Sequence, residues 1–204
     1  MSHHFQTVVR SLVVLTIVSG FGLHSAAQAQ AASVVYPLNN FTTRITKKPF
    51  AKYITPKTSP IQPEKFQGYH TGADAETTAK EKNATIPVYS IAAGKVLFVG
   101  YVNGYGGVII IRHTIGKETV TALYGHIRLA STDVKKNSTV KAGQKISILG
   151  KGFSSETSGE RKHLHFGLLK GTNYSYRGYV TYKSSLGSWL DPVAWLKAHK
   201  AVAP

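Results

Sequence analysis

Between residues 86 and 170 the chain alternates short β-branched and aromatic runs with glycine or polar turns, and this texture constrains the fold more than any other feature. Residues 86–92, 95–101, 108–113, 119–126, 145–149 and 163–169 each read as strands, because branched and aromatic side chains fit a pleated, half-buried surface. Ala93-Gly94 and Asn103-Gly104-Tyr105-Gly106-Gly107 supply hairpin-type connections, since Gly and Asn tolerate positive φ. Closely spaced strands joined by short turns imply an antiparallel sheet, folded over or packed as a sandwich. A parallel arrangement needs crossover helices of about a dozen residues, and none is readable. Only residues 192–199 look helical, with Asp191 as N-cap and Pro192 at the first helical position.

The flanks differ in character. Arg10 precedes an uncharged apolar run over 11–23, and Ser25-Ala26-Ala27-Gln28-Ala29 then offers small residues at cleavage spacing. The run is shorter than the ~20 residues needed to span a bilayer core. Residues 1–29 are therefore expected to be a signal peptide, and the protein to be exported to the periplasm, the cell wall or the medium. Residues 30–66 carry Pro37, Pro49, Pro56, Pro60 and Pro63 among basic residues, a density that interrupts helices and central strands. They are expected to form an extended arm, with a strand or two, lying over a main domain at 67–190. Residues 191–204 would close the chain as a short helix and tail.

The 204 residues carry 25 Lys and Arg against nine Asp and Glu, a formal charge of +16. Removing residues 1–29 takes away Arg10 alone among the charged residues. So strong a bias concentrates polyanions, and in an exported setting these are anionic wall polymers or a membrane surface. Cysteine is absent, which excludes disulfides, thiolate metal sites and Cys nucleophiles. Any metal must be held by His and carboxylate.

The histidines carry the chemistry. In His163-Leu164-His165-Phe166 the pleat puts both imidazoles on one side and Leu164, Phe166 and Leu168 on the other. Alone, an HxH on a strand is compatible with a purely structural role. His70-Thr71-Gly72-Ala73-Asp74 adds a second donor pair. In a straight strand positions 70 and 74 lie about 13 Å apart, too far to share an ion, so Gly72 is expected to bend the chain and let them converge. His126 ends the 119–126 strand and is either a structural donor or a group over the same groove. Two histidines, a carboxylate and water form the ligand set of a catalytic zinc with an open fourth position. The HExxH helix is absent, so histidines outside the metal shell, His163 and His126, would have to move protons and steady the oxyanion. His113 reads as structural or surface, His199 as solvated, and Tyr69, Tyr101 and Tyr105 as half-buried packing.

The order His70-x-x-x-Asp74, Tyr124-Gly125-His126, His163-Leu164-His165-Phe166 resembles the lysostaphin/LytM-type zinc endopeptidases. The likeness extends to residues 86–96, to Gly104-Tyr105-Gly106-Gly107 with the strand behind it, and to residues 140–146. The resemblance implies an all-β, two-layer antiparallel fold with an open groove, and zinc on His70, Asp74 and His165. It implies that His126 and His163 orient the attacking water and stabilise the tetrahedral oxyanion, with peptidoglycan peptides as substrate. Three departures stand out: Gly167 where the family commonly has Glu, the polar stretch 77–85 without the family's usual Gly, and a charged turn over 154–162. A non-catalytic wall-binding or regulatory module of the same fold is the alternative function. Nucleic acid is not expected as a partner, because only charge suggests it.

Overall fold

The computed structural model describes Met1 and residues 34–204, so the expected signal peptide lies outside the described residues. The strands run in chain order β1 (Tyr53–Ile54), β2 (Gly68–His70), β3 (Gly72–Glu76), β4 (Pro87–Tyr89), β5 (Gly94–Val102) and β6 (Gly106–Ile115). They continue with β7 (Glu118–Ile127), β8 (Thr139–Val140), β9 (Lys145–Ile148), β10 (His163–Lys170), β11 (Tyr179–Val180) and β12 (Trp189–Leu190). Helix α1 (Pro192–Ala198) follows, capped by the Asp191 carboxylate, which accepts from the amides of Val193 and Ala194. Five short 3-10 turns are interspersed among the described residues.

All the named strand pairings are antiparallel. The main sheet has the order β12-β10-β7-β6-β5-β8, with β3 on the free edge of β10 ahead of β12. Strands β1, β2 and β11 form a second small sheet and β4 pairs with β9. The architecture is thus the strand-rich antiparallel one expected. One connection differs. Ala93-Gly94 leads from β4 into β5, but β4 pairs with β9 across the chain, so this is a crossing between sheets and not a hairpin.

Period-two alternation splits the core across the sheet. In β6, Ile109 and Ile111 join the principal core while Val108 and Ile110 pack on the opposite face with Leu123 and Tyr105. In β10, Leu164, Phe166 and Leu168 enter the principal core, which leaves His163 and His165 on the other side, as the pleat requires. Val34, Leu38 and Phe41 from the amino-terminal segment fill the same core as Trp195 and Leu196 of α1. Phe41 stands edge-on to Phe166, centroids 5.6 Å apart. The hairpin between β5 and β6 turns through Asn103, Gly104 and Tyr105. At Gly106, φ is +75° and a Cβ would lie 2.1 Å from the Glu156 carbonyl, so no other residue fits.

Candidate metal centre and cleft

Strand β10 is the platform of the site. Antiparallel register sets Asp74 of β3 directly opposite His165 on one side and Gly125 of β7 opposite it on the other. His70 is the last residue of β2, two positions before β3 begins, because the chain changes sheets at Thr71. The bend expected at Gly72 falls instead at Thr71; Gly72 is the first residue of β3, has no positive φ, and is required to be glycine by close packing. A Cβ there would sit 2.6 Å from the Phe166 carbonyl and 2.7 Å from His165 Nε2.

Three donor atoms meet. His70 Nε2 and His165 Nδ1 are 3.0 Å apart, and Asp74 Oδ1 lies 3.2 Å from the first and 3.1 Å from the second. All three residues are buried. Zinc bonds of about 2.0–2.1 Å at tetrahedral angles put ligand atoms about 3.3 Å apart, so the spacing suits such an ion. The tautomers agree. The Pro49 carbonyl, which can only accept, lies 3.2 Å from His70 Nδ1 and places the proton there, leaving an inward lone pair on Nε2. The Tyr105 hydroxyl is 3.3 Å from His165 Nε2 and can likewise accept from it. Two imidazole lone pairs and a carboxylate oxygen facing one point repel one another unless a cation lies between them. The donor set therefore fits a divalent metal.

Electrostatics point the same way. Burial drives the His165 imidazole down to about 4 and holds His126 well below its ordinary range, so both are neutral at pH 7. Burial opposes ionisation of Asp74, but the neighbouring imidazoles of His70, His163 and His165 outweigh it and keep the carboxylate charged. Neutral imidazole and ionised carboxylate are the metal-binding forms.

His163 lies in β10 on the same face as His165, its Nδ1–H donating to the Arg161 carbonyl at 2.9 Å, which aims Nε2 into the cleft. His126 reaches the same place by a different device. Gly107 pairs with Ile127 and Val108 with Gly125, so His126 is the extra residue of a β-bulge. Regular alternation would send its ring to the face of Leu164. A left-handed φ of 62° turns it back, and its ring lies 4.2 Å from that of His163. Holding a non-glycine residue there costs of order 1 kcal/mol. Among the described residues, His126 Nδ1 is buried with no hydrogen-bond partner.

All five sequence-predicted residues therefore converge, while His113 does not. His113 is buried among the strands with Nδ1 bonded to the Ala93 carbonyl. His199 is not simply solvated: it stacks on Trp195 and faces Glu118 at 3.1 Å. The cleft above the donors has a volume of about 240 Å³, with Phe66, Asn103, Tyr105, Glu160, Tyr176 and Tyr179 among its walls. Sequence reasoning missed several neighbours. Tyr105, read as packing, is packed and also touches a donor. Arg161 bonds Asp74, and its only signal was the charged turn two residues before His163. The amino-terminal segment supplies Pro49 and the buried Lys48, which is paired with Glu64 and donates to the Tyr179 hydroxyl at 3.1 Å. Nothing local marks those contacts.

An antiparallel β domain with a His/Asp/His donor set under an open cleft has the ground plan of a metallopeptidase. Residues 68–176, just over half of the chain, match the model of peptidase family M23, and the chain belongs to that family. Among solved structures LytU is 26% identical with a TM-score of 0.51, over 76% of this chain and 85% of that one. The solution structure of lysostaphin shares the fold at 24% identity and a TM-score of 0.51, over 85% and 59% of the two chains. An uncharacterised Haemophilus influenzae protein is 38% identical over 117 residues, 57% of this chain and 24% of its own length. The uncharacterised lipoprotein YgeR of Escherichia coli is 38% identical over 81 residues, 39% of this chain and 28% of its own length. The chain thus spans about a quarter of the length of these curated relatives.

Proposed function

We propose that the protein is a zinc-dependent endopeptidase that hydrolyses peptide bonds in bacterial peptidoglycan, with His70, Asp74 and His165 as metal ligands and His126 and His163 as catalytic residues. The observation that carries this reading is the meeting of three donor atoms within 3.0–3.2 Å of one another, beside two further imidazoles, in one cleft. Bound zinc supplies a water acidified to a pKa of about 7 and polarises the scissile carbonyl.

The chain's own groups do the rest. With its Nδ1 proton committed to the Arg161 carbonyl, His163 offers Nε2 to the reacting atoms. His126 lines the same cleft with its Nδ1 unpartnered among the described residues, and its ring can hydrogen-bond the attacking water or the leaving amine. Phe66, Tyr105, Tyr176 and Tyr179 offer apolar walls for a peptide in a cleft that opens to solvent.

An exported, envelope-associated location agrees with the peptidoglycan substrate, with the expected signal peptide, and with a relative named as a lipoprotein. The net charge of +16 favours anionic wall polymers or a membrane surface as secondary partners.

The decisive experiment incubates the protein with purified sacculi and reads soluble fragments by mass spectrometry. New amine ends are expected, lost on chelation and restored by zinc. His126→Ala and His163→Ala should keep about one zinc each while turnover falls ~10²–10⁴-fold. His70→Ala, Asp74→Ala and His165→Ala should lose metal and activity together. Zinc-loaded protein that binds sacculi and releases nothing would instead establish a non-catalytic wall-binding module.

A further inference from the structure

We infer that Arg161 is a positioning residue that decides which oxygen of Asp74 faces the metal, and that Glu76 is the clamp holding Arg161 in place. The inference rests on the metal reading of the His70, Asp74 and His165 cluster.

Strand alternation puts Asp74 and Glu76 on the same side of β3. The Arg161 guanidinium, buried at 9% exposure, spans both carboxylates. Its Nη2 donates to Asp74 Oδ2 at 2.9 Å, and its Nε donates to Glu76 Oε2 at 2.8 Å. A second bond from Nη2 to Glu76 Oε1 makes that pair two-pronged. The two oxygens of Asp74 are thereby divided. Oδ1 faces His70 Nε2 and His165 Nδ1, whereas Oδ2 is held by Arg161 and lies 3.3 Å from His163 Nε2.

The division has a chemical consequence. A carboxylate free to rotate can chelate through both oxygens and so fill the corner that a catalytic zinc keeps for water or substrate. An Arg bond on Oδ2 competes with that second contact. Only a planar fork with several fixed donors can hold one oxygen of Asp74 and both oxygens of Glu76 together, and the ammonium of Lys cannot. Burying a guanidinium and two carboxylates carries a large desolvation cost, so the trio is poorly explained as a stability device alone. Glu76 serves the geometry by fixing the guanidinium plane.

The test compares wild type with Arg161→Met, Arg161→Lys and Glu76→Gln in the full chain. Zinc affinity is read by competition with a chromophoric chelator, and coordination from the visible spectrum of the cobalt(II)-substituted protein. Removing an outer-shell partner of a metal ligand typically weakens binding ~10–100-fold, and that loss is expected for Arg161→Met. Its cobalt absorption should weaken as the coordination number rises. Arg161→Lys should recover part of both signals, and Glu76→Gln should show a smaller loss in the same direction. Folded Arg161→Met with wild-type affinity and cobalt spectrum would overturn the inference. Should that variant fail to fold, Glu76→Gln and Arg161→Lys decide: lower melting temperatures with unmoved affinity and spectrum would mark a merely structural cluster. Wild type that binds no zinc would bring down the metal reading itself, an outcome visible before any variant is compared.

Discussion

A methyl group at Gly72 would press on the Phe166 carbonyl and the His165 ring at once. Because backbone cannot yield there, β3 would have to move off β10 and take Asp74 with it. Gly72→Ala should therefore cost about 1–3 kcal/mol of stability, the usual range for overpacking, and weaken zinc binding as well. Denaturant melts with and without zinc would check both effects. His113 is a second residue whose surroundings set its chemistry. Burial drives its imidazole from 6.5 down to about 4, so folded protein keeps it neutral while the unfolded chain takes up a proton first. Its share of stability is fully present above pH 6.5 and is lost as pH falls towards 4, a loss of roughly 3 kcal/mol. In His113→Asn, unfolding free energies measured over that window should depend on pH less steeply, by about one proton. At this scale the proposed ligands are readable as candidates because His163/His165 and His70/Asp74 are local patterns. Arg161, Glu76 and Tyr105 are not, since what matters about them is a partner distant in sequence or in another strand.

Among the elements, β10 was readable before any coordinates, and its alternation sorts donors from core. The bulge that returns His126 to the cleft was not readable, because the extra residue exists only relative to β6. The pairing of β4 with β9 was equally hidden: turn chemistry at Ala93-Gly94 says that the chain bends, not which strand it meets. The amino-terminal segment is the largest departure from a local reading. Expected to be an extended arm, it is in its described part mostly turns and bends, with a 3-10 helix at Phe41–Arg44. Strand β1 pairs with β2 ahead of His70, and Lys48 and Glu64 form an ion pair with both side chains 2% exposed. Ser59 Oγ and the Phe66 amide also donate to Glu64. Lys48→Met would leave that carboxylate buried without its cation, at about 3–5 kcal/mol. The double variant Lys48→Met with Glu64→Leu should recover most of the loss in urea denaturation. Equal damage in both would show that the segment depends on packing and not on the pair.

At the scale of the whole molecule, the principal core joins the amino-terminal segment, the main sheet and α1, and His70, Asp74 and His165 stand apart from it. Each of the three is also held by protein on its far side, through Pro49, Arg161 and Tyr105. Chelation should consequently leave near-ultraviolet circular dichroism unchanged while lowering the melting temperature only by the mass-action share of bound zinc. Collapse of the aromatic signal on chelation would show that the ion is instead part of the fold. One further feature bears on how this domain can be joined to others. Val202 accepts from the Tyr36 amide at 2.9 Å and donates to the Val34 carbonyl at 3.0 Å, stitching the two extremities of the described polypeptide side by side. Chain tethered beyond Val34 or Val202 would leave from a single corner, and a circularly permuted gene that bridges this seam would retain each strand pairing beneath the cleft.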